Sequence, residues 1–480
     1  MNKQYDVIII GGGVIGASVA RYLSFYQVSA LVLEKHNDVG EETTNANSAI
    51  VHSGYDPLPN SVKAKFNVEG NKMMPELCKE LDVPFKKIGS LTIGFNDEDE
   101  KTLENLLKRA EENNVKARLV KGEELFKMEP NLSKEAKLGL FCEDAGIVSP
   151  FNLCVSLMEN AMDNGVNLEL NEEVVKIEKI NDIYQVSTKK GHIYESKVLI
   201  NCSGLYSDSL TSFLEEPKFK IIPRKGEYIL LDHFNTQWVK HTLFMCPTKV
   251  GKGVLVSPTT SYNYIIGPSN QDSAINDTST DAETFAYLKE TAKKLIPNIP
   301  YSETIREFAG IRANPDTDDF IIEESKKNPG FINCAGIMSP GLASSPAIGK
   351  YVSELVRDIL KLNLKDKYST TVRPHFHFVN FEDFNAKIKA DPRYGHMICR
   401  CEKVSEGEIV DSINRNCGAH TIKGVKKRTR AGFGKCQGTF CQAEVVKILA
   451  RELKVDPSEI LYSEEGTNIM KYSSKGEKHE

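Results

Sequence analysis

The order of apolar and polar positions near the N-terminus predicts a strand, a helix and a second strand. The run from Tyr5 to Ile10 is β-branched and apolar, which is typical of a parallel strand buried on both faces. Glycine-rich residues follow it, then a helical pattern from Val14 to Ser24 and an apolar strand from Ala30 to Leu33. Since parallel neighbours require a helical crossover, these elements predict a βαβ unit.

Two kinds of periodicity follow further along the chain. Apolar residues recur at helical spacing in residues 62–81, 98–114, 150–164 and 345–360. Between Ile221 and Gly267 they form short strand-like runs separated by turn residues, a pattern that predicts an antiparallel sheet. The order of elements therefore favours a mixed α/β (α+β) fold, in which a doubly wound domain is interleaved with an antiparallel-sheet domain.

Length and charge limit what the chain can be. Its 480 residues are enough for several domains of about 100–200 residues each, and a net charge of −5 excludes a generally nucleic-acid-binding surface. The longest apolar stretch, Val7 to Ala20, is shorter than the roughly 20 residues of a membrane span and lacks the features of a secretory signal. We therefore expect a cytoplasmic protein; peripheral attachment to a membrane through a partner stays open.

A glycine-rich turn after the first strand indicates a dinucleotide site. Gly11, Gly13 and Gly16 have the spacing that lets a pyrophosphate approach backbone N–H groups at a helix N-terminus. Glu34 closes the next strand, where a carboxylate accepts hydrogen bonds from a ribose diol. The alternative is an ordinary glycine-rich turn beside a surface glutamate.

Three further segments resemble one family of flavoproteins. Residues 43–55 resemble the loop beside the isoalloxazine ring in the D-amino-acid-oxidase-like flavoproteins, and residues 198–208 and 336–343 resemble that family's second and third glycine turns. The third turn of the family places a helix N-terminus at the flavin pyrimidine, where its dipole favours the anionic reduced ring. The resemblance extends over residues 5–360 and implies FAD. The cofactor-binding residues it implies are Gly11, Gly13, Gly16, Glu34, Lys35, Thr43, Asn47, Ser48, Val175, Gly204, Asp208, Gly336, Ser339, Gly341 and Leu342.

Within that family, residues 47–57, 64–71 and 247–258 are similar to FAD-dependent glycerol-3-phosphate dehydrogenases and oxidases. L-2-hydroxyglutarate oxidases share parts of these motifs, so a 2-hydroxy acid is an alternative substrate. Oxidation of an alcohol by flavin needs a base for the hydroxyl proton, and an anionic substrate needs cations in the pocket.

The candidate catalytic residues follow from these needs. His52, in the flavin-side loop, is the candidate base, although it could merely hydrogen-bond the flavin or its loop. Arg312 matches the arginine that the family uses for the substrate anion, and Lys252 is a candidate for the flavin N5 side or the phosphate. For both cations the alternative is a solvated surface position.

The cysteines are concentrated near the C-terminus. Of 11 in the chain, five lie between residues 399 and 441; the other six sit in apolar or mixed surroundings and are expected to be buried free thiols. Cys399 and Cys401 form one pair and Cys436 and Cys441 a second, and thiolate sets bind zinc or iron–sulfur clusters. The Cys-x-Cys spacing argues against structural zinc.

The segments around both pairs resemble the bacterioferritin-associated-ferredoxin-like [2Fe-2S] domain, which also ends the large subunit of anaerobic glycerol-3-phosphate dehydrogenase. That resemblance implies a cluster held by Cys399, Cys401, Cys436 and Cys441, with Cys417 uninvolved. We expect the basic run Lys426 to Arg430 to offset the charge of the cluster. Since this run lacks interleaved aromatic residues, it does not indicate nucleic-acid binding.

These observations predict an order of domains. They are a Rossmann-like FAD-binding domain (1–85, 146–215 and 330–362), an antiparallel-sheet substrate domain (86–145 and 216–329), a linker (363–395), a small helical [2Fe-2S] domain (396–455) and a tail (456–480). The expected activity is oxidation of sn-glycerol 3-phosphate to dihydroxyacetone phosphate, with electrons passing from FAD through the cluster to a partner subunit or membrane-associated acceptor. The alternatives are oxidation of a 2-hydroxy acid such as L-2-hydroxyglutarate, and a non-catalytic flavin/iron–sulfur electron-transfer subunit.

Overall fold

The structure is a computed structural model that describes residues 3–233, 237–247, 253–376 and 380–470. Its strands are β1 (Lys3–Ile10), β2 (Ala30–Leu33), β3 (Ile50–Val51), β4 (Phe85–Lys87), β5 (Ser90–Gly94), β6 (Ala117–Lys121), β7 (Leu138–Cys142), β8 (Gly146–Val148), β9 (Asn167–Glu169), β10 (Val174–Ile180), β11 (Ile183–Thr188), β12 (Ile193–Asn201), β13 (Ile221–Leu231), β14 (Thr242–Met245), β15 (Leu255–Pro258), β16 (Tyr264–Gly267), β17 (Gln271–Asp272), β18 (Thr304–Pro315), β19 (Ile321–Glu324), β20 (Phe331–Ala335), β21 (Met397–Cys399) and β22 (Val404–Ser405). Its α-helices are α1 (Val14–Leu23), α2 (Val62–Glu80), α3 (Asp97–Glu112), α4 (Gly122–Met128), α5 (Pro150–Asp163), α6 (Ser207–Thr211), α7 (Ala282–Leu295), α8 (Gly341–Leu360), α9 (Phe381–Ala390), α10 (Glu406–Ile413), α11 (Ile422–Thr429) and α12 (Gln442–Leu453).

The predicted βαβ unit lies at the centre of an eight-stranded sheet. The order of its main path is β10-β11-β12-β1-β2-β9, with β20 and β19 joined beside β12, and β1 runs parallel to β2 and β12. Val7 and Ile9 of β1 enter the core under helices α1, α5 and α8, whereas Ile8 and Ile10 enter a second core on the opposite face. Burial on both faces accounts for the unbroken apolar sequence of this strand.

A nine-stranded sheet forms the second layer of the architecture. Its main path is β17-β13-β16-β15-β14-β5-β7-β6, and β18 pairs with β13. The strands predicted between Ile221 and Gly267 are antiparallel to one another; β14 also pairs parallel with β5, which lies about 150 residues earlier in the chain. The two interleaved sheets confirm the predicted fold class.

The cysteine-rich segment folds as a small domain with its own core. Helices α10, α11 and α12 pack with the two-stranded sheet β21-β22 around the cluster of buried residues that includes Ile409, Val425 and Leu449. A capping box opens α10: the Ser405 side chain accepts a hydrogen bond from Glu408 N, and the Glu408 side chain accepts one from Ser405 N.

The segments that we expect to be a linker and a tail both contain secondary structure. Residues 363–395, expected to be a linker, contain α9 and a 3-10 turn at Pro392–Gly395. In the predicted tail, Ile460 is buried in the core of the cysteine-rich domain, and Leu461 pairs with Asn468. The end of the tail, residues 471–480, lies outside the described residues. In the part of the chain that the structure describes, no helix has the length and apolar character needed to cross a membrane.

Candidate functional site: a dinucleotide cavity and a cysteine-rich surface

A cavity of about 890 Å³ lies at the carboxyl ends of the parallel strands. The turns after β1, β2, β12 and β20 all contribute to its wall. The facing wall comes from the nine-stranded sheet, through residues of β13, β14 and β18. This is the place where open α/β sheets bind ligands, because crossovers on opposite faces leave a crevice there.

The glycine turn has the close backbone contacts that its sequence predicts. Gly11 has φ +108°, and a Cβ there would lie 2.4 Å from the carbonyl oxygen of Cys202. A Cβ on Gly16 would lie 1.9 Å from the carbonyl oxygen of Gly11, so Gly16 lets α1 pack onto the turn. Gly11 and Gly13 line the cavity and Gly16 does not.

Glu34 lies on the cavity wall at the end of β2. Its Oε2 accepts a hydrogen bond from Gly12 N at 2.6 Å and its Oε1 one from His36 N at 2.9 Å. Burial raises the pKa of this carboxyl, and the two backbone N–H groups act in the opposite direction. A buried acid held at this position can reach a ribose diol in the cavity.

Most of the residues predicted from the sequence come together in this one cavity. Lining it are Gly11, Gly13, Glu34, Lys35, Thr43, Asn47, Ser48, His52, Gly204, Arg312, Ser339, Gly341 and Leu342. Lys252 lies outside the described residues. Four predicted cofactor residues are absent from the described wall: Gly16, Val175, Asp208 and Gly336.

The reasons for these differences are local. Val174, not Val175, lines the cavity; Val175 is 44% exposed and lies where the pairing of β10 with β11 shifts register, between Val174 and Lys176. Asp208 accepts a hydrogen bond from Ile221 N at 2.9 Å and so ties α6 to β13. Gly336 does not line the cavity; it has φ +64°, and a Cβ there would lie 2.7 Å from Pro315 Cβ.

His52 lies on the wall where the flavin-side loop meets the third glycine turn. Its Nε2 is 3.5 Å from Ser339 Oγ, and its ring stacks on Phe244 with centroids 5.8 Å apart. Its carbonyl oxygen accepts hydrogen bonds from the side chains of Asn67 and Asn71, both on α2. The backbone of His52 is thereby fixed, and its ring faces the cavity.

Arg312 lies on β18 in the same cavity. Its Nη2 donates to the carbonyl oxygen of Ser269 at 3.1 Å, and its Nη1 is 3.5 Å from Asn270 Oδ1. Among the described residues, no carboxylate pairs with it. A Cβ on Gly226 would lie 2.3 Å from Arg312 Nη2, so this glycine provides the space for the guanidinium.

Several wall residues have no motif that would identify them from the sequence. Lys63, Tyr228 and Phe244 line the cavity, and they come from α2, β13 and β14. Lys63 pairs with Asp318 at 3.0 Å. A lysine at a helix start and aromatic residues in strands are ordinary features of sequence, and only the packing of the two sheets brings these three together.

The four cysteines predicted as cluster ligands form two pairs in the structure. Each pair joins one cysteine of the first motif to one cysteine of the second. Cys401 Sγ is 3.7 Å from Cys436 Sγ, and the hydrogen bond of Cys399 with Cys441 lowers the pKa of Cys399 to about 6. Two thiolates on one tetrahedral metal lie about 3.7 Å apart when each metal–sulfur bond is about 2.3 Å.

In the described part of the chain, no three potential ligands enclose a single ion. Two thiols at each of two irons is the ligand set of a Cys₄ [2Fe-2S] cluster, so the residues fit such a group. The cysteines are all free thiols. Cys399 and Cys441 are buried, whereas Cys401 is exposed and Cys436 half-buried, so one pair faces solvent.

The basic run is placed differently from the sequence expectation. Lys427 and Arg428 bind Asp38 and Glu41 of the FAD-side loop after β2 (residues 35–44, here the β2 loop). The charges of Lys427 and Arg428 are therefore paired with acids across the contact between the two domains. Lys426 and Arg430 stay on the cysteine side, where both lie over the ring of Phe433.

Comparison with known proteins agrees with this arrangement. The family model FAD dependent oxidoreductase (DAO) matches residues 6–355, which is well over half of the chain. This chain belongs to the FAD-dependent oxidoreductase family. A second model, the BFD-like [2Fe-2S] binding domain, matches residues 397–451. The flavoprotein is thus an FAD-dependent oxidoreductase with a [2Fe-2S] domain, and its cofactors are FAD and the cluster.

Three proteins similar to this flavoprotein act on, or are named for, glycerol phosphate. A glycerol 3-phosphate dehydrogenase of Caloramator mitchellensis is 45% identical over 99% of this chain and 100% of its own length. A glycerol 3-phosphate oxidase of Mycoplasma genitalium is 34% identical over 78% of this chain and 98% of its own. The FAD-bound structure of L-alpha-glycerophosphate oxidase from Mycoplasma pneumoniae has a TM-score of 0.74 at 30% identity, covering 78% of this chain and 100% of its own.

Proposed function

We propose that this flavoprotein oxidises sn-glycerol 3-phosphate to dihydroxyacetone phosphate and passes the electrons through its cluster to a separate acceptor. The observation that carries the proposal is Arg312, a cation with no carboxylate partner among the described residues, in the same cavity as His52. A guanidinium in such a site recognises a phosphate or carboxylate through paired hydrogen bonds. The name of the relative that is 45% identical over 99% of the chain favours the phosphate.

The roles of the wall residues follow from their positions. Gly11 and Gly13 would let the FAD pyrophosphate approach the N-terminus of α1, and Glu34 would accept hydrogen bonds from the ribose. Ser339 and Gly341, at the start of α8, would bind beside the flavin ring. Bound FAD supplies a two-electron acceptor for the hydride that leaves C2 of the substrate.

His52 would take the proton of the substrate hydroxyl while C2 loses its hydride. Its Nε2 faces the cavity at 3.5 Å from Ser339 Oγ, and a histidine accepts a proton near neutral pH. The C2–H and O–H bonds break as the carbon–oxygen double bond forms, so two electrons leave with the hydride and one proton stays on His52. Phe244, stacked on the ring, would restrict its orientation.

The surface pair of cysteines supports transfer to an external acceptor. A bound cluster supplies a one-electron carrier, and Cys401 and Cys436 place one side of it at the surface. Phe440, between the ligands Cys436 and Cys441, is 83% exposed. Arg400 and Lys403 flank Cys401 and pair with no carboxylate in the described part of the chain. This combination of an exposed ring and cations suits a redox partner with an acidic surface.

The deciding experiment is anaerobic reduction of the bound flavin by a panel of substrates. We expect sn-glycerol 3-phosphate to remove the visible absorbance of oxidised flavin, and sn-glycerol 1-phosphate, glycerol and L-2-hydroxyglutarate to leave it. Reduction by L-2-hydroxyglutarate alone would assign the cavity to a 2-hydroxy acid. A flavin that no substrate reduces, but dithionite does, would contradict catalysis and favour a structural flavin.

A further inference from the structure

The [2Fe-2S] domain meets the FAD-binding domain through a buried ionic contact. Arg428 of α11 holds Asp38 in two parallel hydrogen bonds, Nη1–Oδ2 and Nη2–Oδ1, both at 2.8 Å. Lys427 Nζ lies 3.0 Å from Asp38 Oδ2 and 2.6 Å from Glu41 Oε1. The side chains of these four residues are at most 6% exposed. The contact therefore lies in a low-dielectric region, where charge matters most.

Asp38 and Glu41 belong to the β2 loop, which is hydrogen-bonded to the glycine turn after β1. In the β2 loop, Gly40 N donates to the carbonyl oxygen of Gly12 at 3.0 Å, and Thr44 Oγ1 accepts a hydrogen bond from Val14 N at 3.1 Å. Glu41 also lines the cavity. Asp38 and Glu41 are thus carried on the loop that contacts the glycine turn predicted to bind the FAD pyrophosphate.

The effect of this contact between the domains depends on the charges of the four side chains. Two carboxylates near a bound pyrophosphate repel it unless cations neutralise them, and the cations come from the other domain. We infer that Lys427 and Arg428 are positioning residues for FAD: by neutralising Asp38 and Glu41, they make the affinity for FAD depend on the docked [2Fe-2S] domain. The inference concerns FAD binding and does not depend on which substrate is oxidised.

The ionisation of Asp38 agrees with this assignment. Burial alone would raise the pKa of Asp38, but the charges of Arg428 and Lys427 outweigh burial and lower that pKa. Asp38 is therefore a carboxylate near neutral pH, and removal of its partner leaves a negative charge in place.

The test breaks the same ion pair from either side in the full-length protein. Arg428→Met removes both parallel hydrogen bonds and leaves the Asp38 carboxylate with Lys427 alone, which Glu41 shares. This variant should raise the Kd for FAD about 10–100-fold, the usual range for coupled sites. Asp38→Asn leaves a cation instead and should bind FAD at least as tightly as the parent. The double variant Asp38→Asn with Arg428→Met should recover most of the loss. FAD binding is followed by quenching of flavin fluorescence, and iron and sulfide are counted in each sample.

A matched control uses another buried ionic contact between the same domains, one that does not involve the β2 loop. Arg415 binds Glu159 of α5 at 2.9 Å, with both side chains nearly inaccessible, and Glu159 does not line the cavity. Arg415→Met should lower the melting temperature and change the Kd for FAD by less than about threefold. If Arg428→Met does not fold, Lys427→Met is compared with Asp38→Asn. Lys427→Met removes one cation from each acid, with Arg428 still on Asp38 and Lys423 still on Glu41, so it should raise the Kd for FAD more than Asp38→Asn does.

Three outcomes would overturn the inference. Equal loss of FAD affinity in Arg428→Met and Asp38→Asn would make the contact purely structural. A loss in Arg415→Met as large as that in Arg428→Met would assign the effect to docking in general. An unchanged Kd in Arg428→Met would remove the cations from FAD binding. None of these results bears on the proposed substrate, because all are measured without it.

Discussion

At the scale of single residues, some charged side chains of the cavity wall have an opposite charge or backbone N–H groups as partners, whereas Arg312 has no carboxylate partner among the described residues. Lys63 is paired with Asp318, and Glu34 is held by two backbone N–H groups. Arg312 makes hydrogen bonds only to neutral oxygens among the described residues. A paired charge is committed to the fold, whereas a cation bonded only to neutral groups can still bind an anion. Substitutions of single residues can therefore test substrate binding and cofactor binding separately.

Replacing Arg312 by lysine should raise KM at least about tenfold while FAD content stays normal, because lysine cannot make the paired hydrogen bonds of a guanidinium. Steady-state kinetics and flavin absorbance measure the two effects. Arg224→Lys is the control, since Arg224 lies opposite Arg312 in the β13–β18 register but pairs with Asp272 and does not line the cavity. Equal kinetics for the two variants would remove Arg312 from the substrate site.

Replacing Glu34 by alanine should weaken FAD binding by about 1–3 kcal/mol, the scale of hydrogen bonds to a charged group. The variant also loses the acceptor for Gly12 N, which is at 2.6 Å in the parent. FAD retention through dialysis measures the effect. Retention equal to that of the parent protein would contradict the ribose assignment.

At the scale of elements, the sequence predicts what local chemistry controls. β1 is apolar on both faces because both are covered, and the helical spacing predicted α2 and α5, which begin after the capping serines Ser61 and Ser149. The sequence does not show which residues of β10 face the cavity, nor that Lys427 and Arg428 turn towards Asp38 and Glu41. Those facts depend on long-range packing. Helix α9 has no buried residues, although Phe381, Phe384 and Ile388 recur at helical spacing within the expected linker.

The C-terminal segment contacts the β2 loop through the ion pair of Glu464 with His36, which depends on pH. Burial alone would lower the pKa of His36, but hydrogen bonds to Glu42 and Glu464 outweigh it and raise this pKa to about 9. Because the folded pKa exceeds the ordinary value near 6.5, the resulting stability is full below about pH 6.5 and is lost as the pH rises through 9.

His36→Gln should therefore lower the free energy of unfolding by about 1–3 kcal/mol at pH 6 and by little at pH 10. Thermal melts of both proteins across this range measure the difference. A gap that is the same at both pH values would show that the imidazolium charge plays no part in holding the segment around Glu464.

At the scale of the whole molecule, two redox sites share one chain, and the proposed activity uses both. The cavity is built from the two sheets, and the four cysteines belong to a domain that has its own small core. The half-reaction with substrate should therefore survive loss of the cluster, whereas delivery of single electrons should not.

Cys401→Ser should abolish the iron–sulfur signal, leave substrate reduction of the flavin intact, and reduce turnover with a one-electron acceptor at least about tenfold. Metal analysis, anaerobic flavin spectra and acceptor assays measure the three effects. The matched variant Cys417→Ser should keep its iron, since Cys417 is a buried thiol beside Arg428 and not one of the four. Loss of flavin reduction in Cys401→Ser with FAD still bound would mean that the two sites do not operate separately.

In the chain between the two domains, backbone carbonyl groups within residues 369–374 accept hydrogen bonds from both domains. Asn160 donates to the carbonyl oxygens of Ser369 and Thr371, Arg21 to that of Thr370, and Arg415 to those of Arg373 and Pro374. A carrier domain that moves on a flexible tether delivers electrons at a rate limited by diffusion. A higher solvent viscosity lowers that rate of electron transfer. Here the carrier is held against the flavin domain, so internal transfer should not depend on viscosity. Only the arrival of the outside acceptor should.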